Sequence, residues 1–259
     1  MTTSQALPSV DSEKICGYSN IINKTAENEN IRKGGTRHMC SVKQTYIEAA
    51  YEMICDVGYE NISIRSLARK LGCNSAILYR HFHSLNYLLM VASVRFLRPY
   101  HEALQARSSN IPSSLDLNLQ GWECLAYYGF QNIPIYQNLF LEDPDLRAQA
   151  FDEYFNEYPE ELKYMKGYLT DALTEADLLK RDHLLLESAV IQGQIASDSV
   201  EYLANSDLYI LRGMFQYYRD SYKEPGIAHK ATLEFINLLY HNYKSQLLPG
   251  QKLYTQRFE

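Results

Sequence analysis

Residues 58–82 read GYENISIRSLARKLGCNSAILYRHF, and this stretch decides the fold. Ile64, Leu67, Ala68 and Leu71 recur at i, i+3, i+4 and i+7, one face of a helix. Ser63 stands before them, where a side-chain oxygen can accept from an orphan N–H of the first turn. Gly72 follows the last apolar residue, where a left-handed stop needs no Cβ. Asn74 supplies a second N-cap two residues later, and Leu78 and Phe82, four apart, give the next helix its buried side. So short a turn makes the two helices cross steeply and carries the second out on the surface.

The exposed side of that second helix holds Ala76 and Arg80, flanked by Ile77 and Tyr79, at about 100° per residue. Such a surface suits a DNA major groove. Ala76 lets the backbone approach, Ile77 can meet a thymine methyl, and Arg80 can take a phosphate or a guanine edge. On spacing alone, an ordinary helical hairpin with a solvated face fits the same residues.

Residues 58–89 resemble the DNA-binding head of the TetR family of bacterial regulators. The matching elements are the G-Y-E-x-x-S opening, the A-R-K-L-G turn, and L-Y-R-H-F followed by S-x-x-x-L-L. Counted back to Ser41, the resemblance covers about fifty residues, a fifth of the chain, and several elements at fixed spacing make it specific. It implies an all-α fold. An N-terminal three-helix helix-turn-helix head would be joined by a long helix to a C-terminal helical-bundle body. Carried over by position, groove-reading residues fall on Ser75, Ala76, Ile77 and Tyr79, and backbone contacts on Arg65, Tyr79 and His81. One departure stands out. The family usually has a lysine at the position of Leu85, as a phosphate contact at the start of the fourth helix.

The charge distribution is consistent with a DNA-binding head. The chain of 259 residues carries a formal net charge of -6. Between Arg32 and Phe82 there are eight Lys/Arg against four Asp/Glu, so +4; the remainder has seventeen against twenty-seven, so -10. A basic segment on an acidic body is the pattern of a DNA-binding head carried by a different kind of domain. Apolar content of 46% is that of a globular protein. The five Cys are odd in number and lack a C-x-x-C, which fits a reducing compartment and neither a disulfide framework nor a zinc site. No signal-peptide run is present, and the longest apolar run, near residues 88–97, is too short to span a bilayer. The expectation is a soluble, cytoplasmic protein with no membrane partner.

The chain divides into a disordered leader at 1–38, a head at 39–98 with its motif at 63–82, a body at 99–248 and a loose tail at 249–259. The leader ends in the basic stretch IRKGGTRH at 31–38, which could brush phosphates or be inert. Ser41 and Gln44 form an S-x-x-Q capping box for the first helix, with Ile47, Ala50, Tyr51, Ile54 and Val57 as its buried stripe. A fourth helix spans about 84–107, with Pro99 kinking or interrupting it. Beyond 108–114 only helical patterns follow: about 114–131, apolar on much of its circumference; 134–141; 144–158, with Pro144 after an Asp143 cap; 159–175; 182–204; 207–222; and 227–248.

Leu233, Ile236, Leu239, Tyr240 and Tyr243 give the last helix an apolar face. Leu184, Leu185, Ala189, Gln192 and Ala196 do so near 182–204. The two could pair with a second copy as a four-helix bundle, or bury within one chain. The resemblance implies the homodimer. It also implies a body that binds a small-molecule effector. Candidate ligand residues are Trp122, Tyr127, Tyr128, Tyr136 and Gln192, aromatic walls with a few polar groups; the same residues would also make an ordinary core.

No metal cluster is legible: His81 and His83 do not face together on a helix, and the other histidines are isolated. There is no Gly-rich phosphate loop, no G-x-S-x-G and no nucleophile–base signature, so no catalytic residue and no cofactor is assigned and an enzyme is not expected. The expected function is a ligand-responsive transcriptional repressor on a two-fold symmetric double-stranded DNA operator. The alternative is a helix-turn-helix protein that acts through a protein partner with weak or no specific DNA binding; Leu85 keeps that alternative open.

Overall fold

The computed structural model describes residues 41–108, 111, 113–164 and 174–254. The expected leader with its basic end, Cys16 and Cys40 lie outside them. Among the described residues the fold is all-α, with one isolated bridge between Ile195 and Leu247.

The head is built from local signals. Helix α1, Val42–Val57, starts at the expected capping box: the Ser41 hydroxyl accepts from Gln44 N and the Gln44 side chain accepts from Ser41 N. It stops at Gly58, where φ is 82°. Helix α2, Ile64–Lys70, is capped by Ser63, with Ser66 completing the reciprocal pair. Gly72 turns the chain at φ 62°. Helix α3, Ser75–Leu78, begins at Asn74, whose Oδ1 accepts from Ala76 N at 3.0 Å. It is shorter than the sequence pattern predicts. The residues after it run on in tight turns, with Arg80 N bonded to Ile77 O and His81 N to Leu78 O. Ile47, Ala50, Ile54, Leu67, Leu78 and Phe82 are all buried where these helices meet.

The predicted fourth helix is broken in the predicted place. Helix α4, Leu85–Ser93, runs into a 3-10 turn, Val94–Leu97, and restarts as α5, Arg98–Ser108. Pro99 has no N–H for the Arg95 carbonyl, and Arg98 N bonds that carbonyl instead.

Helix α6, Ser114–Gln131, is the axis of the body and has the predicted bounds. Leu115, Leu119, Trp122, Ala126 and Phe130 are buried, and so are Leu125 and Tyr128 on its other face. Gly129 allows the closest approach: a Cβ there would lie 2.8 Å from Phe215 Cζ. Helix α7, Ile133–Leu141, follows at once, and α8, Pro144–Glu157, starts at Asp143, whose Oδ1 accepts from Asp145 N and Leu146 N. A helix is predicted over 159–175; the structure has a 3-10 turn at Glu161–Tyr164, and 165–173 lie outside the described residues.

The predicted helix at 182–204 is corrected. It is two helices, α9, Leu178–Ile191, and α10, Ser199–Tyr218. Gly193 at φ 67° ends the first, with Gly193 N on Val190 O and Gln194 N on Ala189 O, the left-handed stop that only glycine takes without strain. The last helix, α11, is Ile227–Ser245. The expected loose tail is corrected for 249–254. Leu248 N donates to Gln194 O, Leu253 is buried, and Tyr254 N donates to the Asp116 carboxylate at 2.9 Å.

Head and body meet along α8 as well as through α4. Tyr87 Oη donates to Glu153 at 2.9 Å, and Lys43 pairs with the same carboxylate. Tyr158 Oη donates to Glu48 at 3.1 Å, while Arg95 pairs with Glu48 and lies over the Tyr51 ring at 4.7 Å. Arg219, just past α10, reaches Glu60 at 3.5 Å. A displacement of α8 would therefore act on α1 and α4 together.

Candidate functional site

The outer face of the head collects the residues singled out in the sequence. Leu78 is fully buried, which turns Ala76, Ile77, Tyr79 and Arg80 outward; Tyr79 is 55% exposed and Ile77 37%. Ser75 is half-buried beside the Asn74 cap, and Arg65 is exposed on α2. His81 is half-buried, its ring tilted 5.6 Å from that of Tyr46, so it is braced against α1 before it reaches solvent. Arg65, Arg69 and Arg80 join no ion pair among the described residues, whereas Lys70 is held by Glu52 at 3.0 Å. Arg69 is an exposed cation that the sequence pattern did not single out; its place in the last turn of α2, away from Leu67 and Ala68, was the available signal.

Leu85 is the first residue of α4 and packs, half-buried, against the head core behind the Ser84 cap. A Leu85→Lys protein is expected to reach a phosphate by extending its ammonium past the core edge. The slope of log affinity against log salt should then steepen by about 0.9 per subunit. An unchanged slope with a lower melting temperature would show that this position serves only packing.

The five candidate ligand residues do not converge. Trp122 lines a small cavity of about 20 Å³ with Tyr100, Asn118, Arg181 and Asp182. Tyr127 lines a separate cleft of about 810 Å³ between the end of α1 and the start of α11. Tyr128 is buried with its ring 5.3 Å from that of Tyr127, and burial pushes its phenol up to about 12. Tyr136 is fully buried, and its hydroxyl donates to Phe96 O at 3.2 Å. Gln192 is exposed at the end of α9, where its side chain accepts from Ser114 N at 3.1 Å. It caps α6 and does not interrupt an apolar face, because α9 has already ended there.

Sequence reasoning missed the polar cluster beside Trp122. The indole Nε1 donates to Asp182 Oδ1 at 2.8 Å, and Asn118 Nδ2 donates to the same oxygen at 2.7 Å. Tyr243 Oη donates to Asp207. Both carboxyls are buried. Their pattern signal was a charged residue on the inward side of an apolar helix.

Two short helices joined by a tight turn, with an outward face of Ala76, Ile77, Tyr79 and Arg80 on an all-α body, form a helix-turn-helix arrangement. Residues 47–89 match the family model of bacterial regulatory proteins, tetR family. The sequence has no match among curated proteins. Similar solved structures include a tetR family transcription regulator from Shewanella sp. PV-4, 18% identical, covering 80% of this chain and 99% of that one, TM-score 0.45. PfmR, a TetR family regulator from Thermus thermophilus, is 21% identical over 75% of this chain and 96% of its own, TM-score 0.44. SmeT, the repressor of the Stenotrophomonas maltophilia multidrug efflux pump SmeDEF, is 11% identical over 81% and 92%, TM-score 0.46. Among the described residues no helix is long and apolar enough to cross a membrane.

Proposed function

We propose that this chain is a homodimeric transcriptional regulator that represses from a two-fold symmetric operator and is released by a small-molecule effector bound in the body. The observation that carries the reading is the outward face of 75–81 within a segment that matches the tetR family model, edged by the exposed cations of Arg65, Arg69 and Arg80. Each subunit would lay Ser75, Ala76, Ile77, Tyr79 and Arg80 in a major groove, with Arg65 and His81 on the flanking backbone.

The dimer face is assigned to α10 and α11, since 182–204 is not one helix. Tyr209 and Tyr217 on α10 and Leu233 and Leu238 on α11 are exposed, while the opposite stripes of both helices are buried in the body. Tyr202 Oη donates to Asn242 at 2.9 Å and ties the two helices together on the open side. Two such helix pairs, related by a two-fold axis, make a four-helix bundle. The effector would act by shifting α8 and α4, which hold the head, and so change the separation of the two heads.

Selection of duplex fragments retained by the full chain, followed by sedimentation of the complex, tests the reading. The expected result is a palindrome with half-sites about 10 base pairs apart, or a small multiple, bound by two subunits. A monomer that retains no selected fragment would sink it, and would favour the reading in which the head docks a protein.

A further inference from the structure

Head and body leave a cleft of about 360 Å³ between them, next to the one that Tyr127 lines. The head contributes Tyr59 and Glu60, from the 3-10 turn Tyr59–Asn61 that leads from α1 towards α2, and Asn86 from the first turn of α4. The body contributes Asn138 on α7, Glu142 in the turn before α8, and Arg219 just past α10. Small-molecule sites have volumes of about 300–1,000 Å³, and this cleft is among them.

One polar group in its wall has no partner. Asn138 is 7% exposed, and its buried Nδ2 has no acceptor among the described residues. An amide donor buried in that way costs stability, and an apolar residue at the same place would avoid the cost. Carboxylates stand around the same space. Arg219 reaches Glu60 at 3.5 Å. Glu142 is exposed and joins no ion pair among the described residues. Burial and, after it, the Glu142 charge raise the Tyr59 phenol above its usual range, so that carboxylate is close to the ring hydroxyl. Tyr59 Oη donates to Asn86 Oδ1 at 3.0 Å, which leaves Asn86 Nδ2 as a second donor of the cleft.

A molecule in this cleft has to serve donors and acceptors side by side. Glu60 and Glu142 need donors, whereas Asn138 Nδ2, Asn86 Nδ2 and Arg219 need acceptors. A cation would satisfy the carboxylates, compete with Arg219 and leave Asn138 unpaired. An anion would suit Arg219 and Asn138 and be repelled by both acids. A hydroxyl donates once and accepts twice. Adjacent hydroxyls on one carbon frame therefore serve both sets and add no charge. Met90, Pro134 and Leu146 give the C–H side of such a frame an apolar wall.

We propose that this seam is a binding site for a small neutral polyhydroxylated molecule, a monosaccharide or sugar alcohol, whose adjacent hydroxyls are held by Asn138, Glu142 and the Glu60–Arg219 pair. The site deepens the effector reading and rests on it for any effect on DNA; the binding itself does not. A molecule held there touches the turn that leads to α2 and the corner between α7 and α8 together, so it sets the angle of the head on the body.

Calorimetric titration of the full chain with ribose, glucose, myo-inositol, ribitol and mannitol tests the assignment. Cyclohexanol is the control with one hydroxyl, and benzoate and benzylamine are the charged controls. The expected result is saturable binding of at least one polyol and of none of the controls. Glu142→Gln keeps the shape of the side chain and removes the charge that strengthens its hydrogen bonds, so it should weaken polyol binding about tenfold. Asn138→Leu should weaken it about tenfold as well, while the melting temperature of the unliganded chain holds or rises, because a buried donor without a partner has been removed. An asparagine that served packing alone would lower the melting temperature and leave the affinity unchanged. Glu142 is exposed, so its variant decides the matter even if Asn138→Leu does not fold. Binding of benzoate or benzylamine with no polyol bound, polyol binding unaffected by Glu142→Gln, or no saturable response to any of these polyols would each overturn the assignment. A polyol that binds here without releasing a retained DNA fragment would uphold the site and sever it from the effector reading. Release of that fragment by another compound, with no polyol bound, would leave the effector reading standing and overturn only this site.

Discussion

The Tyr79→Ala/Arg80→Ala protein gives no specific shift of an operator that the unmodified chain retains, and its helical circular dichroism is unchanged. Both side chains are exposed in the turn just past α3, and neither contributes to the buried set of Ile47, Leu67, Leu78 and Phe82 that holds the head together. Base contacts of this kind are worth about 1–3 kcal/mol each, and a dimer makes four, so the expected loss exceeds about a thousandfold. The salt dependence should also flatten, because Arg80 is one of the free cations of the face. A melting temperature that falls together with the affinity would contradict the exposure of these residues and place them in the core.

A second large effect is expected at the seam between α6 and α11. Phe235 is fully buried, with its ring 5.8 Å from Trp122 and 6.4 Å from Phe130. Phe235→Ala removes both edge contacts and leaves a cavity that the two long helices cannot close by sliding. The cost is about 3–5 kcal/mol. Urea unfolding should show it, with a melting temperature lower by about 10 °C for a chain of this size. A change below about 1 kcal/mol would mean that α11 is not held to α6 through this aromatic layer.

What could be read from the chain was local. The capping box at Ser41, the N-cap at Ser63, the glycine stops at Gly58 and Gly72, and the interruption at Pro99 depend on a few adjacent residues, and the structure has each of them in place. The same holds for the bounds of α6, whose two apolar faces announce a helix surrounded by others. Leu78 and Phe82, by their spacing, were enough to say which side of α3 faces outward.

The end of α9 was less legible. Apolar residues continue in helical register on both sides of Gly193, and a helix tolerates a single glycine. What selects the left-handed stop is the bridge from Ile195 to Leu247 and the bond from Leu248 N to Gln194 O, which come from more than fifty residues away. The docking of Leu253 and of Tyr254 N on α6 is decided in the same way, by a surface that exists only after the helices have packed.

The sequence by itself determined an all-α chain with an outward-facing segment at 75–81, because periodicity, caps and glycines act over one or two turns, although the helix in it closes already at Leu78. Only the tertiary structure decided that Asp182 and Asp207 lie inside. A lone aspartate on a helix reads as solvated, and its burial follows from α6, α9, α10 and α11 closing around Asn118, Trp122 and Tyr243, whose N–H and O–H groups replace the lost water.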